Sequence, residues 1–234
     1  MKNTINRLHS RVVATGVTLA LLNACASYGP PVTGAVFGPE KRISDSLPAT
    51  ISEVVLELPV GDVDVVALPG SRLSAEIQIS CDERNKSCQK LANNITLKKQ
   101  VFEDRVFISP STRSKMAFRK AQSDYQIEVP NHIPLRIIMG YGELSVSGIE
   151  SDLTIDMKAG EVSVEAPLSQ VRKVWADANF GDARLHGTTS EETGGRRFLV
   201  GAESSWDDGP GQHDIVVNLG AGDVTISLIP DSSP

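Results

Sequence analysis

One short pattern recurs along this chain: glycine, an acidic residue, then apolar, any residue, apolar. It stands at Gly61-Asp62-Val63-Asp64-Val65, Gly142-Glu143-Leu144-Ser145-Val146, Gly160-Glu161-Val162-Ser163-Val164, Gly181-Asp182-Ala183-Arg184-Leu185 and Gly222-Asp223-Val224-Thr225-Ile226. From Gly142 the glycines are 18, 21 and 41 residues apart, the last about two periods, with room for a degenerate copy around Gly201. A self-similar unit of about 20 residues limits the fold to architectures that use one supersecondary element many times over.

Inside the unit, apolar residues alternate on both sides of the glycine. Leu153-Thr154-Ile155-Asp156-Met157 leads into Lys158-Ala159-Gly160, followed by Val162 and Val164. Period two on either side of a glycine reads as strand, turn, strand. The acidic neighbour is suited to accept hydrogen bonds from turn backbone. The expectation is an all-β, single-domain β-solenoid with rungs of about 20 residues, each burying its apolar residues only against its neighbours. An antiparallel β-sandwich built of hairpins is the alternative. The solenoid is preferred because sandwich strands have little reason to share a motif at the same phase. Stacking would place Glu143, Glu161 and Asp182 on one edge as a structural column with weak affinity for cations.

The pattern from Tyr125 to Leu228, with Ile127-Glu128-Val129-Pro130 leading into Leu135-Arg136-Ile137-Ile138 and then the glycine-acid turns, resembles the bacterial repeat domain DUF4097, labelled putative adhesin. Val54 to Val66 resembles an earlier piece of the same fold. The resemblance implies a β-solenoid in a cell-envelope setting and brings no catalytic residues with it.

The amino end has the zones of an export signal. Lys2, Arg7 and Arg11 precede an apolar stretch from Val12 to Leu22, and small Ala24 stands before Cys25. About eleven apolar residues are too few for the roughly 20 of a spanning helix. Leu22-Asn23-Ala24-Cys25 resembles the lipobox at which bacteria attach diacylglycerol to a cysteine and cleave before it. That implies a signal peptide over 1–24, lipidation of Cys25 with palmitate among the acyl chains, and a membrane anchor. Ala26, in place of Asp, implies outer-membrane routing. Residues 25–50, rich in Gly, Pro and Ser, read as a flexible tether, 51–230 as the repeat domain and 231–234 as a tail.

Removal of residues 1–24 leaves 20 Lys plus Arg against 29 Asp plus Glu, a formal charge of −9. That excludes nucleic acid as an expected partner. Residues 81–124 break the period and are expected to be an irregular insertion. They carry Cys81 and Cys88 and a basic run of Lys98, Lys99, Arg105, Arg113, Lys115, Arg119 and Lys120. In a compartment outside the reducing cytosol the two cysteines read as a disulfide. A redox pair would normally show Cys-x-x-Cys, and a metal site lacks nearby His or further Cys. The basic run could meet anionic lipid headgroups, lipopolysaccharide phosphates or another envelope polymer, or be a solvated face.

Catalytic motifs are missing: the sequence has no Gly-x-Ser-x-Gly, no phosphate-cradling loop and no His-Glu-x-x-His. His132, His186 and His213 stand at no metal-ligand spacing. The segment Trp206-Asp207-Asp208-Gly209-Pro210-Gly211-Gln212-His213-Asp214 gathers carboxylates that could act as acid and base, or hold calcium, or merely be solvated. Trp175 is expected to point outward if Val174, Ala176 and Ala178 face the core, unless a loop such as 188–198 covers it. Trp175 and Trp206 are the candidate contact residues; no catalytic residue, metal or cofactor is expected. The expected function is non-enzymatic: a lipid-anchored envelope protein with a structural, adhesion-like or partner-binding role toward an unknown protein or polymer. The alternative is a polysaccharide-binding or polysaccharide-active protein using loop 206–214.

Overall fold

Alternation with an interrupting glycine produces long strands that bend once. The computed structural model describes residues 35–112, 118, 121–188, 193–197 and 200–230, all within one compact unit. Four strands carry the pattern through its glycine without a break: β3 (Glu53–Leu68), β8 (Leu135–Ser147), β9 (Leu153–Pro167) and β14 (His213–Ile229). In β8 the buried set is Leu135, Ile137 and Met139 before the glycine and Leu144 and Val146 after it. The inward parity therefore changes at Gly142. In β9 and β14 the same change separates Leu153, Ile155 and Met157 from Val162 and Val164, and Ile215, Val217 and Leu219 from Val224 and Ile226. The bend lets both halves of each strand turn their apolar side chains into one core. Each Val, Ile or Leu so enclosed contributes about 1.5–3 kcal/mol.

The repeats lie side by side in parallel register. Gly61 pairs with Gly142, Gly142 with Gly160, and Gly160 with Gly222. The Gly181 copy joins through β10 (Val171–Ala178) and β11 (Ala183–His186), which pair in parallel with the two halves of β14. Val146 lies opposite Val164, and Val164 opposite Ile226. The units are thus not hairpins. Among the described residues the strands form one mixed sheet of 14 that does not close on itself.

The glycines are required by proximity as well as by φ. Gly160 has φ +136, and a Cβ there would fall 1.8 Å from the Gly142 carbonyl oxygen. Gly142 stands in the same relation to Gly61, Gly222 to Gly160, and Gly181 to Gly222, each at 1.8 Å.

Several expectations need correction. Copies do not stack in sequence order, because β14 lies between β9 and β10. The possible copy at Gly201 is instead the start of β13 (Gly201–Trp206), antiparallel to β10 and paired on its far side with β12 (Thr193–Arg197). The tether reading of 25–50 fails for residues 35–46. There β1 (Ala35–Phe37) and β2 (Lys41–Ser46) pair antiparallel with β4 (Arg72–Asp82), and Leu47 is buried.

The insertion at 81–124 is also more ordered than expected. Helix α1 (Lys86–Asn94) starts at Asn85, whose side chain accepts a hydrogen bond from the Cys88 N–H at 3.0 Å, and buries Cys88, Leu91 and Ala92. The stretch containing Val101, Val106 and Ile108 is a hairpin of β5 (Thr96–Phe102) and β6 (Arg105–Ser111), turning at Glu103 with φ 56. Its valines part company: Val101 is exposed while Val106 and Ile108 are buried. Strand β7 (Gln122–Pro130) follows. β6 pairs with the first half of β3 and β7 with the second, so together they make a further rung whose corner is interrupted.

Candidate functional site

The glycine corner orders the acidic residues that follow it. Asp62 pairs with Glu143, Glu143 with Glu161, and Glu161 with Asp223. The Asp223 side chain accepts a hydrogen bond from the Asp182 N–H at 3.0 Å, which brings the fifth acid to the end of the row. Parallel neighbours lie about 4.8 Å apart. Asp182 also holds Arg184, at 2.6 Å. In the next outward row Asp64, Ser145, Ser163, Thr225 and Arg184 stand in register. The two rows border a shallow groove of about 590 Å³ in which Arg184 is, among the described residues, the one basic lining residue.

A sixth acid extends the row and is absent from the expected set. Asp124 of β7 pairs with Asp62. Burial pushes its carboxyl above the usual aspartate range, and the Asp62 charge adds to the shift. Its signal is present in the chain, since Asp124-Tyr125-Gln126-Ile127 is acid, apolar, any, apolar with Ser123 in the glycine's place. The interrupted corner between β6 and β7 removes the need for glycine.

This neighbourhood gives a pH-dependent prediction. A carboxyl whose folded pKa is raised favours the folded state while protonated. That contribution is lost as pH rises from the ordinary aspartate value through the folded one. Asp62→Asn removes a like charge opposite Asp124 and is expected to stabilise the protein at pH 7 by about 0.5 kcal/mol after screening, raising Tm by one or two degrees. At pH 3 the gain is expected to vanish. A lower Tm at pH 7 than wild type would show that Asp62 is held by a favourable contact.

Trp175 faces outward, 40% exposed, between buried Val174 and Ala176. Trp206 is 3% exposed and belongs to the core. Its ring covers Gly209, where a Cβ would come within 2.5 Å of it, so a contact role for Trp206 is withdrawn. In loop 206–214, Asp207 pairs with Lys173 at 3.4 Å, and Asp214 takes two hydrogen bonds from Arg172 at 2.9 and 2.7 Å. The Asp208 N–H and Lys173 hold the Asp207 carboxyl below the usual range. Asp207 is thereby favoured as the anion, unlike the raised carboxyl of an acid–base pair. His213 lies 3.6 Å from Asp152. His132 lies in the turn before β8 and His186 on β11, both exposed. Among the described residues no three His, Cys, Asp or Glu side chains gather as a metal site.

Cys81 and Cys88 are joined, with Cα atoms 5.7 Å apart, tying α1 to the end of β4. Cys25 and the signal segment 1–24 lie outside the described residues, as do Arg113, Lys115, Arg119 and Lys120 of the basic run. No described helix is long and apolar enough to cross a membrane.

Comparison with known proteins adds little to this geometry. No family model matches the chain, and no curated protein does. Among solved structures, a "putative cell adhesion protein" from Clostridium sporogenes is 14% identical. The match covers 82% of this chain and 100% of that one, with a TM-score of 0.47. A "putative adhesin" from Bacteroides fragilis is 12% identical over 82% of this chain and 97% of its own, at 0.26. A "putative lipid binding protein" from Parabacteroides distasonis is 9% identical over 82% and 98%, at 0.22. Overlap at these scores carries no argument about activity, and what rests on firmer ground is that this chain is all-β.

Proposed function

We propose that this chain is a lipid-anchored cell-envelope protein of non-enzymatic, adhesion-like role, a solenoid-like stack that presents a rigid β-face to a protein or polymer partner. The supporting observation is the in-register stacking of the glycine corners, which fixes the rows Asp62–Glu143–Glu161–Asp223 and Asp64–Ser145–Ser163–Thr225 on backbone hydrogen bonds. A surface repeated at strand spacing loses little entropy on binding, which favours recognition over catalysis. The anchor is read from the export signal and from Leu22-Asn23-Ala24-Cys25, and the outer membrane from Ala26. Two or more acyl chains hold a protein where one does not.

Metabolic labelling with radioactive palmitate tests the anchor. The wild type is expected to take up label and sediment with membranes, and Cys25→Ser to do neither while still being exported. Equal labelling of both would refute the anchor. In-cell crosslinking followed by mass spectrometry tests the face. One partner is expected to be lost in a Glu143→Lys, Glu161→Lys double variant that keeps the wild-type Tm. A crosslinking pattern indifferent to that charge reversal would remove the face from the account.

A further inference from the structure

Charge is distributed unevenly over the fold. From Arg84 to Phe102, across α1 and β5, the chain carries five basic residues and no acidic one, although its mature form has an excess of acids. Lys86 and Lys90 stand one turn apart on α1, and these two with Arg84 and Lys98 are exposed. Among the described residues none of these four side chains forms an ion pair, although the Arg84 backbone N–H donates to Asp82 Oδ1 at 2.7 Å, whereas Lys99 is paired with Asp45. The stretch ends at Val101 and Phe102, 56% and 61% exposed at the hairpin tip. Asp82 and Glu83 before it and Glu103 and Asp104 after it mark its limits.

The same module adjoins the point where the anchored end joins the fold. β1 pairs with the end of β4, and Gly38 lies against α1 so closely that a Cβ would fall 2.5 Å from Ala92 Cβ. Ten residue steps separate Cys25 from Ala35, a reach of no more than about 35 Å. A lipid on Cys25 would therefore hold the start of β1, and the α1 packed beside it, within that reach of headgroups.

We propose that α1 and β5 form a docking surface for anionic phospholipid headgroups, with Arg84, Lys86, Lys90 and Lys98 toward phosphate and Phe102 toward the interface. The surface acts as a second membrane signal beside the lipid, and its place in the cell rests on the anchor reading above.

The test uses the mature chain with Cys25→Ser, so that binding does not depend on acylation. It is expected to float with vesicles of phosphatidylcholine containing about a third phosphatidylglycerol at low salt, and to be released at high salt. Vesicles of phosphatidylcholine alone are expected to leave it in solution. Each lysine near an anionic surface accounts for about fivefold in partition, so Lys86→Gln, Lys90→Gln, Lys98→Gln together are expected to lower it about a hundredfold at unchanged Tm. Equal partition onto both vesicles, a triple variant that binds like wild type, or binding to lipopolysaccharide but not to phosphatidylglycerol would overturn the proposal. Failure of palmitate labelling would remove the anchor alone, and the vesicle result would still judge the surface.

Discussion

Gly160→Ala is expected to destabilise the protein by about 4 kcal/mol or more, much of the stability a domain of this size has to lose. Two costs combine. A side chain is strained at φ +136, and its Cβ would stand 1.8 Å from the Gly142 carbonyl oxygen, a backbone atom fixed by the strands on either side. Strain in the left-handed region costs about 1–3 kcal/mol, and overpacking in a closed site about 1–3 kcal/mol more. Gly195→Ala is the control: its Cβ would meet nothing within 4 Å, and the change is expected to stay within about 0.5 kcal/mol of wild type. Urea denaturation measures both. A Gly160→Ala protein as stable as Gly195→Ala would mean that the corners do not approach one another as described.

The second large effect concerns the Cys81–Cys88 bond. Its sequence separation is 7, and closing so short a loop stabilises by about 2–3 kcal/mol on chain-entropy grounds. Both sulfur-bearing residues are buried, so Cys88→Ala also loses packing under α1. The double variant Cys81→Ala, Cys88→Ala is expected to lower stability by about 3 kcal/mol and to raise amide exchange in Lys86–Asn94 more than in β9. Uniform exchange along the chain, or two free thiols in the oxidised wild type, would contradict the bond's role as the clamp of α1.

Much of the repeat is legible in the sequence, because period-two alternation fixes which side chains face inward and the glycines mark where the alternation changes phase. Val174, Ala176 and Ala178 alone imply an outward Trp175, and it is exposed. The order of stacking could not be read in the same way. A corner of Gly61 type fits against any other such corner, so five like copies do not say which neighbours which. The insertion between Gly181 and Gly222 forms β12 and β13, and the chain returns through β14 to lie against β9.

Other signals were present and outweighed by composition. Asn85 as a cap, followed by Cys88, Leu91 and Ala92 on one helical face and by buried Ile95 just past its end, marks α1 in an otherwise β sequence. Pro and Gly between Gly29 and Pro39 suggested a tether, yet Ile43 and Leu47 alternate toward the core and carry β2 onto the edge of β4. Trp206 reads as exposed from its acidic neighbours, but the glycine at 209 lets the loop fold over its ring. Asp124 was hidden because its rung is assembled from two strands rather than one.

Engineered crosslinks test the stacking on which the whole account stands. In a Cys25→Ser background, Ser163→Cys with Thr225→Cys places two thiols on directly paired residues of β9 and β14, within disulfide reach on one outward row. Ser163→Cys with Arg184→Cys separates them by the intervening β14, about 10 Å. Mild oxidation and peptide mapping are predicted to give a 163–225 bond in the first protein and free thiols in the second. A 163–184 bond formed readily while 163 and 225 stay reduced would place the copies in sequence order and contradict the fold from which the proposed face is built.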